Sequence, residues 1–336
     1  MKYRVGITDY VKAPYDVEEK AFPNVEYVFL NSEDLDDFDQ SILAELDALI
    51  VWHAHIGERT AKVLKKSCIV VRYGVGFDSI NIAALSIEGI PFCNTPDYGT
   101  EEVADTTSGM ILNMQRKIGS YDFACRNYHS GWQEHVQPLL TRTNKQTLGV
   151  VGVGRIGTAV INRMKAFGYR IIGYDPYQPS GHEKAIGYER KQHLKKLLEE
   201  SDIVTIHCPL SNETKGLIDD EFITTMKQGS MLVNTGRGQV LSDLDCVEKY
   251  LRSGHLSAVS FDVLPQEPPP LDHSLINAWR NNEEWIVGRL IINPHSSYYS
   301  EQSLFEMRYK ASETVRMFLE EGILRNQVFA SKSKVM

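Results

Sequence analysis

Short apolar runs recur along the chain, separated by polar stretches in which apolar residues return every three or four positions. Strand-like runs fall at Tyr3–Thr8, Val25–Leu30, Ala48–Trp52, Ile69–Tyr73 and Pro91–Asn94, and stretches of helical period such as Asp39–Leu46 and Glu58–Lys66 lie between several of them. Alternation of this kind predicts a small open parallel sheet, a domain in its own right. Glu101–Gln115 reads as one long amphipathic helix whose Glu101, Glu102 and Asp105 suit its positive N-terminal end, in a position that fits a connector between domains. Residues 119–146 are polar and aromatic without a strand signal, and read as helix and loop. Six strand candidates follow at helix-length intervals: Leu148–Val151, Arg170–Tyr174, Ile203–Cys208, Met231–Thr235, Val259–Val263 and Leu290–Asn293. Six strands split three and three predict a doubly wound α/β domain. The last helix, Glu301–Glu321, is apolar at Leu304, Met307, Ala311, Val315 and Phe318, and is expected to return to the first domain. The reading is therefore an α/β protein with a smaller domain at 1–101 plus 300–336 and a larger one at 102–299.

Thr147–Asp175 carries the most specific local signal. A buried-strand run is followed by Gly152, Gly154 and Gly157 as G-x-G-x-x-G, then by a helix with Ile156, Val160, Met164 and Phe167 on one face. A second strand ends in Asp175. The first glycine permits the tight turn, the second lets backbone approach a pyrophosphate, and the third lets the helix pack closely on the strand. Asp175 lies where a carboxylate bonds both hydroxyls of an adenosine ribose. No Arg follows it, so the 2′-phosphate of NADP is expected to meet a carboxylate with no cation close by. The segment reads as a dinucleotide site, and the larger domain as a Rossmann domain.

Bulk properties narrow the class. At 336 residues two domains are the natural expectation, and 42% hydrophobic with 24% charged residues is ordinary globular composition. A net charge of −8 argues against nucleic acid as the main partner. No apolar run is long enough to cross a membrane, and Met1–Asp9 does not read as a signal peptide. The five cysteines (Cys68, Cys93, Cys125, Cys208, Cys246) form no C-x-x-C pair and read as free thiols of a reducing cytoplasm. No metal is expected. Ser331–Met336 reads as a loose tail.

In an open α/β sheet, ligands sit beyond the carboxyl ends of the strands. Cys208-Pro209, Gly236-Arg237, Asp262 with Glu267 beyond it, and Pro294-His295 occupy such positions. A His suits proton movement at oxygen, a carboxylate beside it orients the ring, and an Arg fork polarises a carbonyl and holds an adjacent carboxylate. Singly, each has a bland alternative: a solvated His, an Arg closing a turn, a loop Glu. Together on one rim they point to hydride transfer at a hydroxyl or carbonyl carbon.

These residues also carry a resemblance. Gly152–Gly157, Asp175-Pro176-Tyr177, Ser201-Asp202, His207-Cys208-Pro209, Leu232–Gly238, Phe261–Val263 with Glu267-Pro268, and Pro294-His295 resemble the D-isomer-specific 2-hydroxyacid dehydrogenases over nearly the whole chain. Arg72 before the 73–78 loop, the YDPY at 174–177 and the 295–302 segment resemble the C-terminal-binding-protein branch. The resemblance implies a smaller flavodoxin-like domain beside the Rossmann domain, NAD as cofactor, and Arg237, Glu267 and His295 as catalytic residues. It implies that backbone at Val75 and Gly76 holds a substrate carboxylate. Thr107, Arg155, Ile156, Cys208, Pro209, Thr214, Thr235, Gly236 and Asp262 would join Gly152, Gly154, Gly157 and Asp175 around the cofactor. Residues 119–146 would form a two-fold homodimer contact.

Three departures stand out. The segment Asn277–Arg289 lengthens the Glu-to-His spacing, Tyr298 stands where the C-terminal-binding proteins carry a Trp beside the substrate, and their long tail is missing. The expected reaction interconverts a small 2-oxo acid and the D-2-hydroxy acid. The alternative is an NAD-sensing, corepressor-like module that recognises a peptide on its first domain. Arg72, and His53 or His55, each following a strand of that domain, leave two readings open. Either Arg72 pairs with a local acid such as Asp78 while the histidines are solvated, or Arg72 and His53 hold a second anionic end of the substrate.

Overall fold

The computed structural model describes residues 2–8, 11, 16–126, 132 and 140–330. The chain divides into two compact units, Met1–Gly99 with Tyr299–Met336, and Thr100–Tyr298.

In the first unit the elements are β1 (Arg4–Ile7), α1 (Asp16–Ala21), β2 (Glu26–Phe29), α2 (Gln40–Leu43), β3 (Ala48–Val51), α3 (Glu58–Val63), β4 (Ile69–Arg72), α4 (Ile82–Ile87) and β5 (Phe92–Cys93). The strands pair in parallel in the order β2-β1-β3-β4-β5, the flavodoxin-like winding. β3 is buried along its whole length because both faces of the sheet are covered. Leu49 and Val51 enter one core cluster, and Ala48 and Ile50 enter the other, as a side-chain period of two requires. The C-terminal helix Glu301–Glu321 places Met307, Ala311 and Val315, each four residues on from the last, into the second cluster. Its Arg308 binds the buried Glu18 of α1, which also accepts from the Tyr73 hydroxyl at 2.8 Å.

The second unit begins with α5 (Thr100–Arg116) and α6 (Ile118–Arg126). α5 carries Ala104, Ile111 and Met114 into the same core cluster as Val160, Ile161 and Met164. Then follow β6 (Thr147–Val151), α7 (Arg155–Lys165), β7 (Arg170–Tyr174), α8 (His182–Ile186), β8 (Glu189–Arg190), α9 (Leu194–Glu200), β9 (Ile203–Ile206), α10 (Asp220–Thr225), β10 (Ser230–Asn234), α11 (Leu244–Arg252), β11 (Leu256–Phe261), α12 (Ser274–Arg280) and β12 (Leu290–Ile292). All pairs are parallel, in the order β12-β11-β10-β9-β6-β7-β8. Six strands of this sheet repeat the doubly wound order, with the switch point between β6 and β9, and β12 extends it.

The sheet therefore has seven strands where the sequence pattern predicted six. The additional one, β8, is two residues long, lies at the edge and reads Glu-Arg, so it offers neither an apolar run nor alternation. The lengthened 277–289 segment completes α12 and then turns. It buries Ala278 and Ile286 in the core, while the Arg252 guanidinium lies 3.9 Å over the Trp285 ring and Arg289 donates to the carbonyls of Leu251, Leu256, Ser257 and Trp285. Much of the stretch given to a dimer contact, and the tail at 331–336, lie outside the described residues.

Candidate active site

The glycine turn sits between β6 and α7. Gly152 has φ +87°, and a Cβ added there would lie 2.5 Å from the Cys208 amide nitrogen. One added at Gly157 would lie 2.1 Å from the Gly152 carbonyl oxygen. Both positions are closed to any side chain. At Gly154 an added Cβ meets nothing within 4 Å. Gly154 caps α7 without a side-chain hydrogen bond, and no acidic residue occupies the first turn, where Arg155 and Ile156 stand. Open space before a helix N-terminus that bears no competing anion is what a pyrophosphate requires.

Asp175, part-buried at the tip of β7, is tied to this turn. Its Oδ2 accepts from the Val153 amide at 2.8 Å and its Oδ1 from the Tyr177 amide at 3.0 Å. A carboxylate has further lone pairs for ribose hydroxyls. A cation does stand close, contrary to the sequence reading. Arg190 of β8 donates to the carbonyl oxygens of Asp175, Gln178 and Pro179, and its position fifteen residues on concealed it. Its guanidinium is held by carbonyls, which distinguishes it from an open phosphate receptor.

After β9 come Cys208 and Pro209. Burial pushes the Cys208 thiol up to about 11, so it stays protonated at neutral pH. Thr214 lies on the same loop; its hydroxyl donates to the Pro209 carbonyl at 2.6 Å and accepts from the Ser211 amide at 2.8 Å, which shapes the loop. Thr107 of α5 and Thr235 are both buried, with their hydroxyls 2.8 Å apart.

Arg237, Glu267 and His295 are brought together by three successive strand ends, those of β10, β11 and β12. After β10, the buried Asn234 turns the chain: its Oδ1 accepts from the Gly236 amide and its Nδ2 donates to the Arg237 carbonyl, each at 3.0 Å. Arg237 is part-exposed, and its guanidinium also donates to the Gly236 carbonyl at 2.8 Å. Beyond β11, Glu267 Oε1 accepts from the Leu264 amide at 2.8 Å and Oε2 lies 2.8 Å from His295 Nδ1. Burial pushes the Glu267 carboxyl up. The hydrogen bond to His295, the charges of His295 and Arg237, and the Leu264 amide outweigh that push and hold it below the ordinary value of 4.5. With Nδ1 on Glu267, the Nε2 edge of His295 is the one left for a substrate oxygen.

His295 takes φ +51°, a conformation uncommon outside glycine, and its amide donates to the Asp262 carbonyl at 2.8 Å. The Asp262 carboxylate, buried, accepts from the amides of Ser296 and Ser297 at 2.9 to 3.1 Å. Asp262 thus braces the His295 loop from beneath, a role the sequence reading did not assign. Asn234, Leu264, Ser296 and Ser297 were missed as well. Of these only Asn234, two residues before a glycine, carries a local signature, that of an Asx turn. Tyr298 is part-buried and ends this unit.

The remaining candidates belong to the first unit. Arg72 ends β4, and its guanidinium donates to the Tyr73 carbonyl. Gly74 has φ +119°, Val75 is exposed, and the Val75 carbonyl accepts from Asn94 Nδ2 at 2.9 Å beside Gly76. His53 is exposed and stacks on Trp52 with ring centroids 5.0 Å apart. Three potential metal ligands, Asp245, Glu248 and His273, lie together elsewhere. Arg252 and Ser274 engage Glu248, and His273 Nδ1 accepts from the Leu275 amide, so the group is an ion-pair and capping network.

A doubly wound sheet with this glycine turn and a carboxylate on the second strand defines a dinucleotide-binding protein. Residues 108–297 match the family model described as D-isomer specific 2-hydroxyacid dehydrogenase, NAD binding domain. The chain is 34% identical over 270 residues to glyoxylate reductase of Korarchaeum cryptofilum, covering 80% of this chain and 77% of that protein. It is 30% identical over 298 residues to C-terminal-binding protein 1 of Caenorhabditis elegans, covering 86% of this chain but only 39% of that longer protein. Among solved structures, it superposes on D-lactate dehydrogenase from Aquifex aeolicus complexed with NAD and lactic acid. The TM-score is 0.81 at 26% identity, covering 97% of this chain and 99% of that one. The chain belongs to the D-isomer-specific 2-hydroxyacid dehydrogenases, a family of NAD-dependent oxidoreductases.

Proposed function

We propose that this chain reduces a small 2-oxo acid to the D-2-hydroxy acid with NADH, or runs the reverse oxidation. The observation that carries the reading is the Glu267–His295 contact beside Arg237 on the strand-end rim of a dinucleotide sheet. A reduced nicotinamide supplies hydride to C2 of the substrate. The chain's own residues do the rest. Arg237 binds the carbonyl and carboxylate oxygens and draws charge from C2. His295 delivers a proton from Nε2 to the substrate oxygen, while Glu267 at Nδ1 holds the ring in place. Asp262 and Asn234 position the loops that carry these groups. The main-chain N–H groups at Val75 and Gly76 are assigned to the substrate carboxylate. Arg72 and His53 are assigned to a second anionic end, and Tyr298 to the substrate side chain. A homodimer in the cytoplasm is the setting we propose.

A panel of 2-oxo acids with NADH, followed by chiral analysis of the product, tests this reading. Turnover to the D-isomer supports it. No turnover, together with micromolar binding of a short peptide, would replace it with the sensor module that the likeness to C-terminal-binding protein 1 favours.

A further inference from the structure

Arg190 stands apart from every role so far assigned. It lies on the two-residue edge strand β8, in register with Gly173 of β7, two residues before Asp175. That register is fixed: a Cβ at Gly173 would lie 2.7 Å from the Tyr188 ring, and the Lys191 amide donates to the Gly173 carbonyl at 2.8 Å. From there the guanidinium reaches along the extension of β7 into the loop that Asp175 opens. Nη1 donates to the Pro179 carbonyl at 3.1 Å, and Nη2 to the carbonyls of Asp175 at 3.1 Å and Gln178 at 2.9 Å. Glu183 Oε2 lies 3.7 Å from Nη1, and the Arg190 side chain is 15% exposed.

The loop needs such a clamp. Pro176 and Pro179 have no N–H, which limits what the loop can do to hold itself. Its carbonyls instead converge on one planar fork, whose several donors in fixed geometry suit them as a single ammonium would not. The first of those carbonyls belongs to Asp175, whose carboxylate reaches back to the Val153 amide in the glycine turn. Loop, acid and glycine turn are thereby joined through one guanidinium.

We propose that Arg190 is the positioning residue of the adenosine half of the cofactor site, holding Asp175 where the ribose hydroxyls meet it. This rests on the reading of Asp175 as the ribose ligand and goes beyond it. The loss of Arg190 acts through Asp175 and leaves the nicotinamide end alone.

The test compares wild type, Arg190→Met and Arg190→Lys as full chains, measuring dissociation constants for NADH and for ADP-ribose well below each melting temperature. Arg190→Met is expected to weaken both ligands by about tenfold, the scale of one or two lost hydrogen bonds, with the ratio of the two constants unchanged. Arg190→Lys keeps the charge without the fork, and is expected to weaken both in the same proportion by a smaller factor. It also serves where Arg190→Met does not fold. General loosening of the fold would lower the melting temperature without confining the loss to the ligand half the two share. Binding within twofold of wild type in the folded variants overturns the proposal. So does a loss for NADH that ADP-ribose does not share. Wild type that fails to bind either ligand would instead overturn the cofactor reading itself.

Discussion

Gly238 faces the Leu264 carbonyl so closely that a Cβ built on it would lie 1.8 Å from the oxygen and 2.1 Å from the carbon. The two residues belong to different loops. Gly238 follows Arg237, and the Leu264 amide holds Glu267 Oε1. The Arg237 turn is thus seated on the backbone that orients Glu267, and the seat admits no side chain. Gly238→Ala is expected to push the loops apart and lower kcat/KM by about 100-fold or more, on the scale of misplacing a catalytic group by an ångström. Affinity for ADP-ribose, which reaches only the glycine turn and Asp175, should change less than threefold. Binding and steady-state kinetics on the same preparation check this.

The depressed Glu267 carboxyl fixes the sign of a pH effect. A carboxylate whose folded-state pKa lies below 4.5 contributes stability that is present above the unfolded value and lost as pH falls through the folded value. Its charge therefore persists through the neutral range, where it faces Nδ1 of His295. Glu267→Gln removes that charge and the carboxylate that orients the ring, so the reduction rate should fall across the neutral range. It should also abolish Glu267's share of the stability gained between the folded and unfolded pKa values. Rate profiles and melting curves from pH 4 to 9 would show it, and a profile superimposable on wild type would count against the Glu267–His295 pairing in solution.

Cofactor choice follows from Asp175. Arg190, which reaches the Asp175 main chain, is engaged by carbonyls, so a 2′-phosphate meets the carboxylate first. Catalytic efficiency with NADH should exceed that with NADPH by tenfold or more, about 1.4 kcal/mol. Asp175→Ala should narrow the ratio. Equal efficiencies in wild type would contradict this reading.

The second-anion assignment makes a selective prediction. Arg72→Ala should cost about 2 kcal/mol more in kcat/KM on a dianionic 2-oxo acid than on a simple aliphatic one, as expected for a lost charge-assisted contact. Equal losses on both would assign Arg72 to the common carboxylate or to the fold.

Much of this was legible in the sequence, for identifiable reasons. The runs at 48–52 and 148–151 read as strands because a strand buried on both faces is continuously apolar, and α7 read as a helix because one face repeats at 3.6 residues. Arg237, Glu267 and His295 could be shortlisted because strand ends converge on one rim whatever the intervening lengths. β8 could not, since an edge strand two residues long carries no period. The same lack hid Arg190. The bracing of His295 by Asp262, through the amides of Ser296 and Ser297, was equally hidden. Backbone amides are the same in every residue, so which acid they meet is settled only by tertiary packing.

His295 is the proposed proton donor, and the most direct test is His295→Ala on the best 2-oxo acid of the panel. Turnover and NADH affinity should be measured together. A fall in kcat of about 10²- to 10⁴-fold with the NADH dissociation constant unchanged is the predicted result, the usual scale for a positioned acid-base group. Near wild-type turnover would contradict it, and would mean that the proton comes from elsewhere.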